Sequence, residues 1–206
     1  MLFRSKGESS EYANWFYRLQ FPVIRPATEE EKPTYSCFAY ERKMPKLNSS
    51  NPEERAYFME VCRYWIREFK VDGWRLDVAN EVDRGFWRDF HRAAHEENPE
   101  SVMIGEIWES SETWLNGDMF DSTMNYDFRK NCRDFFALRK ISAEEFHDRI
   151  VKMLLRYRTG TLRGQLNLLD SHDVNRFLSY CEGDLRRFRL AEVFLFTSPG
   201  IPCVFY

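Results

Sequence analysis

Residues 71–78 have the sequence VDGWRLDV, a short apolar run that ends near a carboxylate. Before this run, residues 52–69 carry apolar side chains at helical spacing, and a second amphipathic segment follows it from Asp83 to about His95. Asn51 is a helix-capping residue, and proline occupies the first helical position after it. We therefore predict a strand between two helices, which is the repeating unit of a parallel sheet.

Short apolar runs continue to alternate with amphipathic segments along the rest of the sequence. Further strands are predicted at 102–106, 119–126, 164–169 and 202–206, and further helices at 143–157 and 185–196. This alternation indicates an α/β fold, either doubly wound or a barrel. No GxGxxG turn follows a strand, whereas acidic residues follow several of them, which is where barrel enzymes carry their chemistry. We therefore predict a TIM (β/α)8 barrel.

The number of predicted strands limits how much of a barrel this sequence contains. A closed barrel typically needs about 250 residues and eight strands, and only five strands are predicted within 206 residues. Residues 1–50 are rich in proline and lack a regular period, so we interpret them as loop-rich and residues 51–206 as a partial barrel. An incomplete barrel has unpaired edges, and we expect such a fragment to be unstable and inactive alone.

The composition argues against several classes of function. Thirty Lys and Arg residues are balanced by 33 Asp and Glu residues, so no basic excess favours nucleic-acid binding. No apolar run approaches the ~20 residues of a membrane span, and no signal segment is recognisable, which leads us to expect a cytoplasmic protein without a membrane partner. The five cysteines include no CxxC pair, so neither a disulfide framework nor a zinc site is expected.

The period of a strand predicts that Arg75 and Asp77 are neighbours. Residues two apart in a strand point to the same face, so both side chains share a face with Gly73. A guanidinium beside a carboxylate holds it ionised and oriented, as a nucleophile requires at neutral pH. A structural ion pair between Arg75 and Asp77 would explain the pattern of residues 73–77 equally well.

Glu106 follows a second predicted strand and stands among apolar and aromatic residues. Burial there would favour the protonated carboxyl group. A protonated carboxyl facing an ionised one is the arrangement used in glycoside hydrolysis, where one group protonates the leaving oxygen and the other acts at the anomeric carbon. A solvated acid at a strand end is the alternative.

A third acidic cluster, Asp170 to Asp173, follows the predicted strand at 164–169. Convergence of like charges at one end of a sheet opposes folding and is better explained by a cationic transition state. A metal site that includes His172 is the alternative, although no second histidine lies nearby in the sequence. A Ser-His-Asp triad is excluded because adjacent residues cannot reach one another in the required geometry. Three aromatic residues that follow these strands are expected to be exposed, where they would stack on sugar rings or simply pack: Trp108, Trp114 and Tyr126.

The acidic residues discussed above lie in three stretches, which occur in this order: GWRLD at 73–77, GEIW at 105–108 and LLDSHD at 168–173. In this combination the sequence closely resembles the α-amylase family of glycoside hydrolases. Two more stretches, MPKLN at 44–48 and VANE at 78–81, resemble the neopullulanase, cyclomaltodextrinase and maltogenic amylase branch of that family. The resemblance extends through nearly the whole sequence.

The resemblance implies a role for each matching residue. Asp77 would be the nucleophile, Glu106 the general acid and base, and Asp173 the stabiliser of the transition state. The implied reaction is retaining cleavage of α-1,4 glucosidic bonds in maltodextrins, cyclomaltodextrins or pullulan, and cleavage of α-1,6 bonds stays open. Arg75, His172 and Trp108 are expected to bind the substrate. Asn80 and Glu81 match an acceptor-side motif of the branch, which is associated with the balance between hydrolysis and transglycosylation.

The resemblance also has departures and alternatives. The family's Asp-x-x-x-Asn-His run at the third barrel strand is absent, so the five predicted strands would be the fourth to eighth, and residues 1–50 would belong to the excursion after strand three. No cofactor is required, calcium stays open, and the complete parent would form a homodimer if it follows this branch. A noncatalytic amylase-like scaffold is the alternative function, but such relatives usually lose the catalytic acids, all three of which match here.

Overall fold

Residues 6–205, which the computed structural model describes, fall into two units that do not follow the order of the chain. The first unit runs up to Asp72 and resumes over Asn80–Ser101. The second contains Gly73–Ala79 and the described residues from Val102 onwards. No helix among residues 6–205 is both long and apolar enough to cross a membrane.

In the first unit, two antiparallel strands precede a pair of helices. Strand β1 is Cys37–Phe38 and strand β2 is Glu41–Pro45. The connection between them, Ala39 and Tyr40, has positive φ angles of 47° and 63°, as two-residue hairpin turns require. The sequence predicted only loops here, because neither turn residue is glycine and the strands are too short to show a period.

Helix α1 spans Pro52–Phe69, which confirms the predicted boundaries. The Asn51 side chain accepts hydrogen bonds from two backbone N–H groups of the first turn, and Lys70 ends the helix in the left-handed conformation. Helix α2 spans Arg84–Glu97, close to the prediction, with Asp83 as its N-cap. The helices pack against each other through their apolar faces, with these residues buried: Met59, Cys62 and Ile66 of α1, and Phe86, Phe90, Ala93 and Ala94 of α2.

The second unit is built on the predicted parallel sheet. Its five strands lie side by side in sequence order: β3 Gly73–Leu76, β4 Val102–Gly105, β5 Ser122–Asn125, β6 Leu166–Leu168 and β7 Ile201–Cys203. Each is shorter than the apolar run that predicted it. Leu76 pairs with Gly105, so the residues that follow, Asp77 and Glu106, leave neighbouring strands at the same level.

Five helices accompany the sheet in this unit: α3 Tyr126–Cys132, α4 Ala143–Leu155, α5 Thr159–Gly164, α6 Phe177–Tyr180 and α7 Leu185–Thr197. A π-helical turn, Arg133–Ala137, continues α3. Helices α4 and α7 confirm predictions, whereas α3, α5 and α6 are too short to show a helical period. The buried core of these helices includes Phe128, Cys132, Met153, Phe177 and Leu195.

A buried acid in α1 makes the stability of the protein depend on pH. Glu54 is 1% exposed, and its Oε2 has no hydrogen-bond partner among the described residues. Burial raises the pKa of Glu54 from 4.5 to about 7, against a smaller lowering by Arg55. Between these pH values the folded state binds the extra proton, so stability falls as the pH rises through this window.

We expect Glu54→Gln, which mimics the neutral carboxyl group, to gain stability over the wild type as the pH rises from 4.5 to 8. The pKa shift bounds this relative gain at roughly 3 kcal/mol. Urea unfolding at both pH values measures it. Glu53→Gln, at the exposed neighbouring position, is the control and should show no such trend. A stability difference between Glu54→Gln and wild type that stays constant with pH would contradict the prediction.

Candidate active site

One arginine of strand β3 joins two carboxylates. Arg75 Nη1 donates a hydrogen bond to Asp77 Oδ1, as the strand period predicts, and Arg75 Nη2 lies 3.3 Å from Glu106 Oε2. The two acids differ in environment, because the Asp77 side chain is 73% exposed and the Glu106 side chain is 4% exposed. An accessible carboxylate and a buried one therefore share a single guanidinium.

Glu106 is buried as predicted, but its contacts are polar. Oε2 accepts a hydrogen bond from the Val78 backbone N–H at 2.8 Å, and Oε1 accepts one from Trp108 Nε1 at 3.0 Å. The main chain around it is fixed as well, since Glu106 N–H donates to Leu76 O and Ala79 N–H donates to Glu106 O. The apolar neighbours expected from the sequence thus give way to donors that orient both oxygens.

The Val78 donor depends on an unusual backbone conformation. Val78 has a φ of 43°, in the left-handed region. For a β-branched residue this conformation is an outlier, and it costs about 1–2 kcal/mol. It turns the chain directly after Asp77 and directs the Val78 N–H at Glu106.

Asp173 is held by the loop that follows β6. Its backbone N–H donates to Ser171 Oγ at 3.3 Å, and its Oδ2 lies 3.2 Å from His172 Nε2. Ser171 Oγ also shares a hydrogen bond of 3.4 Å with the hydroxyl of Tyr126. Tyr126 experiences the charges of Glu106 and Asp173 together with that of Arg75, so two of the three predicted acids and the arginine act on one phenol group.

Tyr126 is 5% exposed, so the expectation of an exposed aromatic is wrong for this residue. Burial raises the pKa of its hydroxyl, and the nearby charges of Glu106 and Asp173 raise it further. The phenol therefore stays protonated at neutral pH. Trp108, in contrast, is 46% exposed and stacks on Tyr126 with ring centroids 3.9 Å apart and an interplanar angle of 11°. Trp114 is half-buried and packs near Phe120.

Asp170 makes contacts that hold the backbone of its loop, although the sequence grouped it with Asp173. Its Oδ2 accepts the backbone N–H of Phe177 at 2.8 Å, at the start of α6, and its Oδ1 lies 4.0 Å from Arg176. These contacts give Asp170 a structural explanation, because they fix the loop that carries Asp173. The sequence could not reveal this, since a bond that spans seven residues leaves no local pattern.

The acceptor-side candidates belong to the first unit. Glu81 Oε2 lies 3.5 Å from Lys46 Nζ, which connects the VANE and MPKLN stretches through a half-buried ion pair. Asn80 is exposed. The structure thus places the two stretches that carry the branch resemblance in direct contact.

Sequence reasoning missed several contacts of the site, which involve Val78, Trp108, Ser171 and Tyr126. Trp108 was a candidate only for contact with sugar, and its indole N–H is bound to an acid instead. Asp77 and Glu106 both contact Arg75, and Asp173 lies against His172.

Comparison with known proteins adds to this geometry. Residues 27–206 match the family model described as alpha amylase, catalytic domain. The chain is 45% identical over 201 residues to a cyclomaltodextrinase of Thermoanaerobacter pseudethanolicus and 44% identical over 202 residues to neopullulanase 2 of Thermoactinomyces vulgaris. A solved cyclomaltodextrinase structure superposes on the whole chain with a TM-score of 0.93 and 42% identity.

The relatives are considerably longer than this chain. The matches cover 97% and 98% of the chain but only 34% of each of the two curated relatives, and 35% of the solved cyclomaltodextrinase. The chain therefore spans about a third of the length of these proteins. The matched third includes Asp77, Glu106 and Asp173.

Proposed function

The chain belongs to the α-amylase family of glycoside hydrolases, and on this basis we propose that the protein cleaves α-glucosidic bonds with retention of configuration. Its five-stranded sheet corresponds to part of the (β/α)8 barrel of that family. The observation that carries the proposal is the guanidinium of Arg75, which joins an exposed carboxylate, Asp77, to a buried one, Glu106.

The proposed mechanism has two steps. Asp77 Oδ2 attacks the anomeric carbon while Glu106 gives a proton to the departing glycosidic oxygen, and the glycosyl group becomes an ester of Asp77. Glu106 then takes a proton from water, which attacks the same carbon and frees Asp77. Arg75 binds Oδ1 and so leaves Oδ2 for the attack.

The loop after β6 supplies the remaining groups of the proposed site. Asp173 stabilises the positive charge that develops on the sugar ring, and His172 binds sugar hydroxyls. Exposure of both side chains supports this assignment, since a substrate can reach them. The pair Asn80 and Glu81 would contact the acceptor side, where Lys46 holds Glu81 in place.

We propose maltodextrins, cyclomaltodextrins or pullulan as the substrates. The names of the relatives support this class, because they are a cyclomaltodextrinase and a neopullulanase. We propose α-1,4 glucosidic bonds as the main bonds cleaved and α-1,6 bonds as the second type. No cofactor enters the proposed mechanism.

Further proposals concern the protein as a whole. Residues 1–50 would belong to an excursion after the third barrel strand and residues 51–206 to the barrel, and the full protein would act as a homodimer. We also propose a cytoplasmic location. The five cysteines are free in the structure, which fits a compartment that keeps thiols reduced.

The test is a trapping experiment on the full gene product that contains this sequence. A 5-fluoro-α-maltosyl fluoride should leave an ester on the peptide that carries Asp77, as detected by mass spectrometry. The first sugar released from cyclomaltodextrin should have the α configuration by proton NMR. Release of the β anomer would contradict a retaining mechanism, and absence of both labelling and turnover would favour the noncatalytic scaffold.

A further inference from the structure

The two oxygens of Glu106 differ in what surrounds them. Oε2 receives the backbone N–H of Val78 and lies 3.3 Å from the Arg75 guanidinium. A proton on Oε2 would compete with both of these donors. Oε1 instead accepts one hydrogen bond from the neutral indole of Trp108, so Oε1 is the oxygen that can carry the transferable proton.

Trp108 is well suited to fix the direction in which Oε1 points. A hydroxyl oxygen can accept one hydrogen bond while it donates another. The indole N–H can therefore stay on Oε1 while the proton of Oε1 is directed at the glycosidic oxygen. The same bond would hold Oε1 when Glu106 later takes a proton from water.

The plane of the indole is set by a buried neighbour. Trp108 lies nearly parallel to Tyr126, whose ring is 5% exposed and whose hydroxyl shares a hydrogen bond with Ser171. Ile107, between Glu106 and Trp108, is 2% exposed and anchors the connecting main chain. An otherwise exposed tryptophan thus has a defined orientation relative to the acid.

We propose that Trp108 is a positioning residue for Glu106, acting through its indole N–H, with Tyr126 as the platform that orients the ring. This inference rests on the proposed function, because it assumes that Glu106 is the general acid. It differs from the sugar-stacking role expected from the sequence, which needs only the exposed face of the ring and not the N–H group.

The two roles predict different responses to the leaving group. Aryl α-maltosides place an aromatic ring beyond the cleaved bond, and they differ in the acidity of the phenol that leaves. A weakly acidic phenol needs a proton from Glu106, whereas dinitrophenol leaves without one. The value of kcat/KM covers substrate binding and the first chemical step, so the slope of its logarithm plotted against phenol acidity measures how well Glu106 delivers its proton.

Trp108→Phe retains an aromatic face and removes the N–H donor. We expect kcat/KM to fall roughly 10- to 100-fold for the phenyl maltoside and by less than about threefold for the dinitrophenyl maltoside. The plot should therefore become steeper, and we expect Glu106→Gln to steepen it as well. Adding Trp108→Phe to Glu106→Gln should cause no further loss for the phenyl substrate, because the two residues act as one unit.

Two further variants sharpen the test. Trp114→Phe is the matched control, since this half-buried tryptophan packs near Phe120, and its plot should keep the wild-type slope. Benzothienylalanine at position 108 has the shape of tryptophan with sulfur in place of the N–H group. It should reproduce the steeper slope even if the phenylalanine variant folds poorly.

Each outcome bears on one of the two assignments. An equal loss for all maltosides on Trp108→Phe, which displaces the plot without changing its slope, would overturn the positioning role and leave stacking. A wild-type slope for the benzothienyl variant would overturn it as well. If Glu106→Gln itself leaves the slope unchanged, the acid role of Glu106 fails, and the proposed function fails with it.

Discussion

Replacing Asp77 with asparagine is expected to lower kcat/KM for cyclomaltodextrin at least about 10,000-fold while the protein stays folded. An amide is a very poor nucleophile for the anomeric carbon, so the ester intermediate cannot form at a useful rate. The substitution conserves shape, and the side chain is 73% exposed, so little packing is lost. The lost ion pair with Arg75 is a surface contact of small value.

Reducing-sugar release measures this activity, and thermal unfolding verifies that the variant is folded. Asp72→Asn provides a matched control, because Asp72 is an exposed aspartate five residues earlier in the chain. It should retain wild-type activity. Turnover of Asp77→Asn within tenfold of the wild type would remove Asp77 as the nucleophile, and the proposed mechanism could not stand.

Replacing Gly73 with alanine is expected to destabilise the protein by about 3 kcal/mol or more, and to prevent folding if the protein is marginally stable. A Cβ atom on Gly73 would lie 2.0 Å from the carbonyl oxygen of Val102 and 2.8 Å from its backbone nitrogen. Both are main-chain atoms of β4, so no side-chain rotation can relieve the overlap. The two strands would have to separate at the point where they pair.

Separation of β3 from β4 would also affect catalysis. The pairing of these strands aligns Asp77 with Glu106, so a folded Gly73→Ala protein should lose activity as well. Gly160→Ala is the control, because a Cβ at this exposed helical position has nothing within 4 Å. Urea unfolding of both variants gives the comparison. Wild-type stability and activity in Gly73→Ala would show that the strands do not approach so closely.

Local patterns in the sequence predicted the frame of the site. Helix α1 was predictable to the residue, because an Asn cap and a following proline define its start and the apolar period its extent. The period of two in β3 was enough to place Arg75 beside Asp77. These features depend on residues close together in the chain, which is the information that a single sequence carries.

Contacts between distant segments were not predictable in the same way. The bonds from Val78 and Trp108 to Glu106 depend on how the turn after β3 meets the end of β4. A left-handed valine has no local signal, because this residue type almost never adopts that conformation. Tyr126 was expected to be exposed, yet its burial follows from packing that involves Trp108 and the loop of Ser171.

The strained backbone at Val78 has a consequence for the evolution and engineering of this protein. A search for thermostable variants would find residue 78 attractive, because glycine adopts positive φ angles at no steric cost. The same relaxation would loosen the turn that aims its N–H at Glu106. Selection for activity and selection for stability therefore oppose each other at this position, and a search guided by melting temperature alone would tend to erode the site.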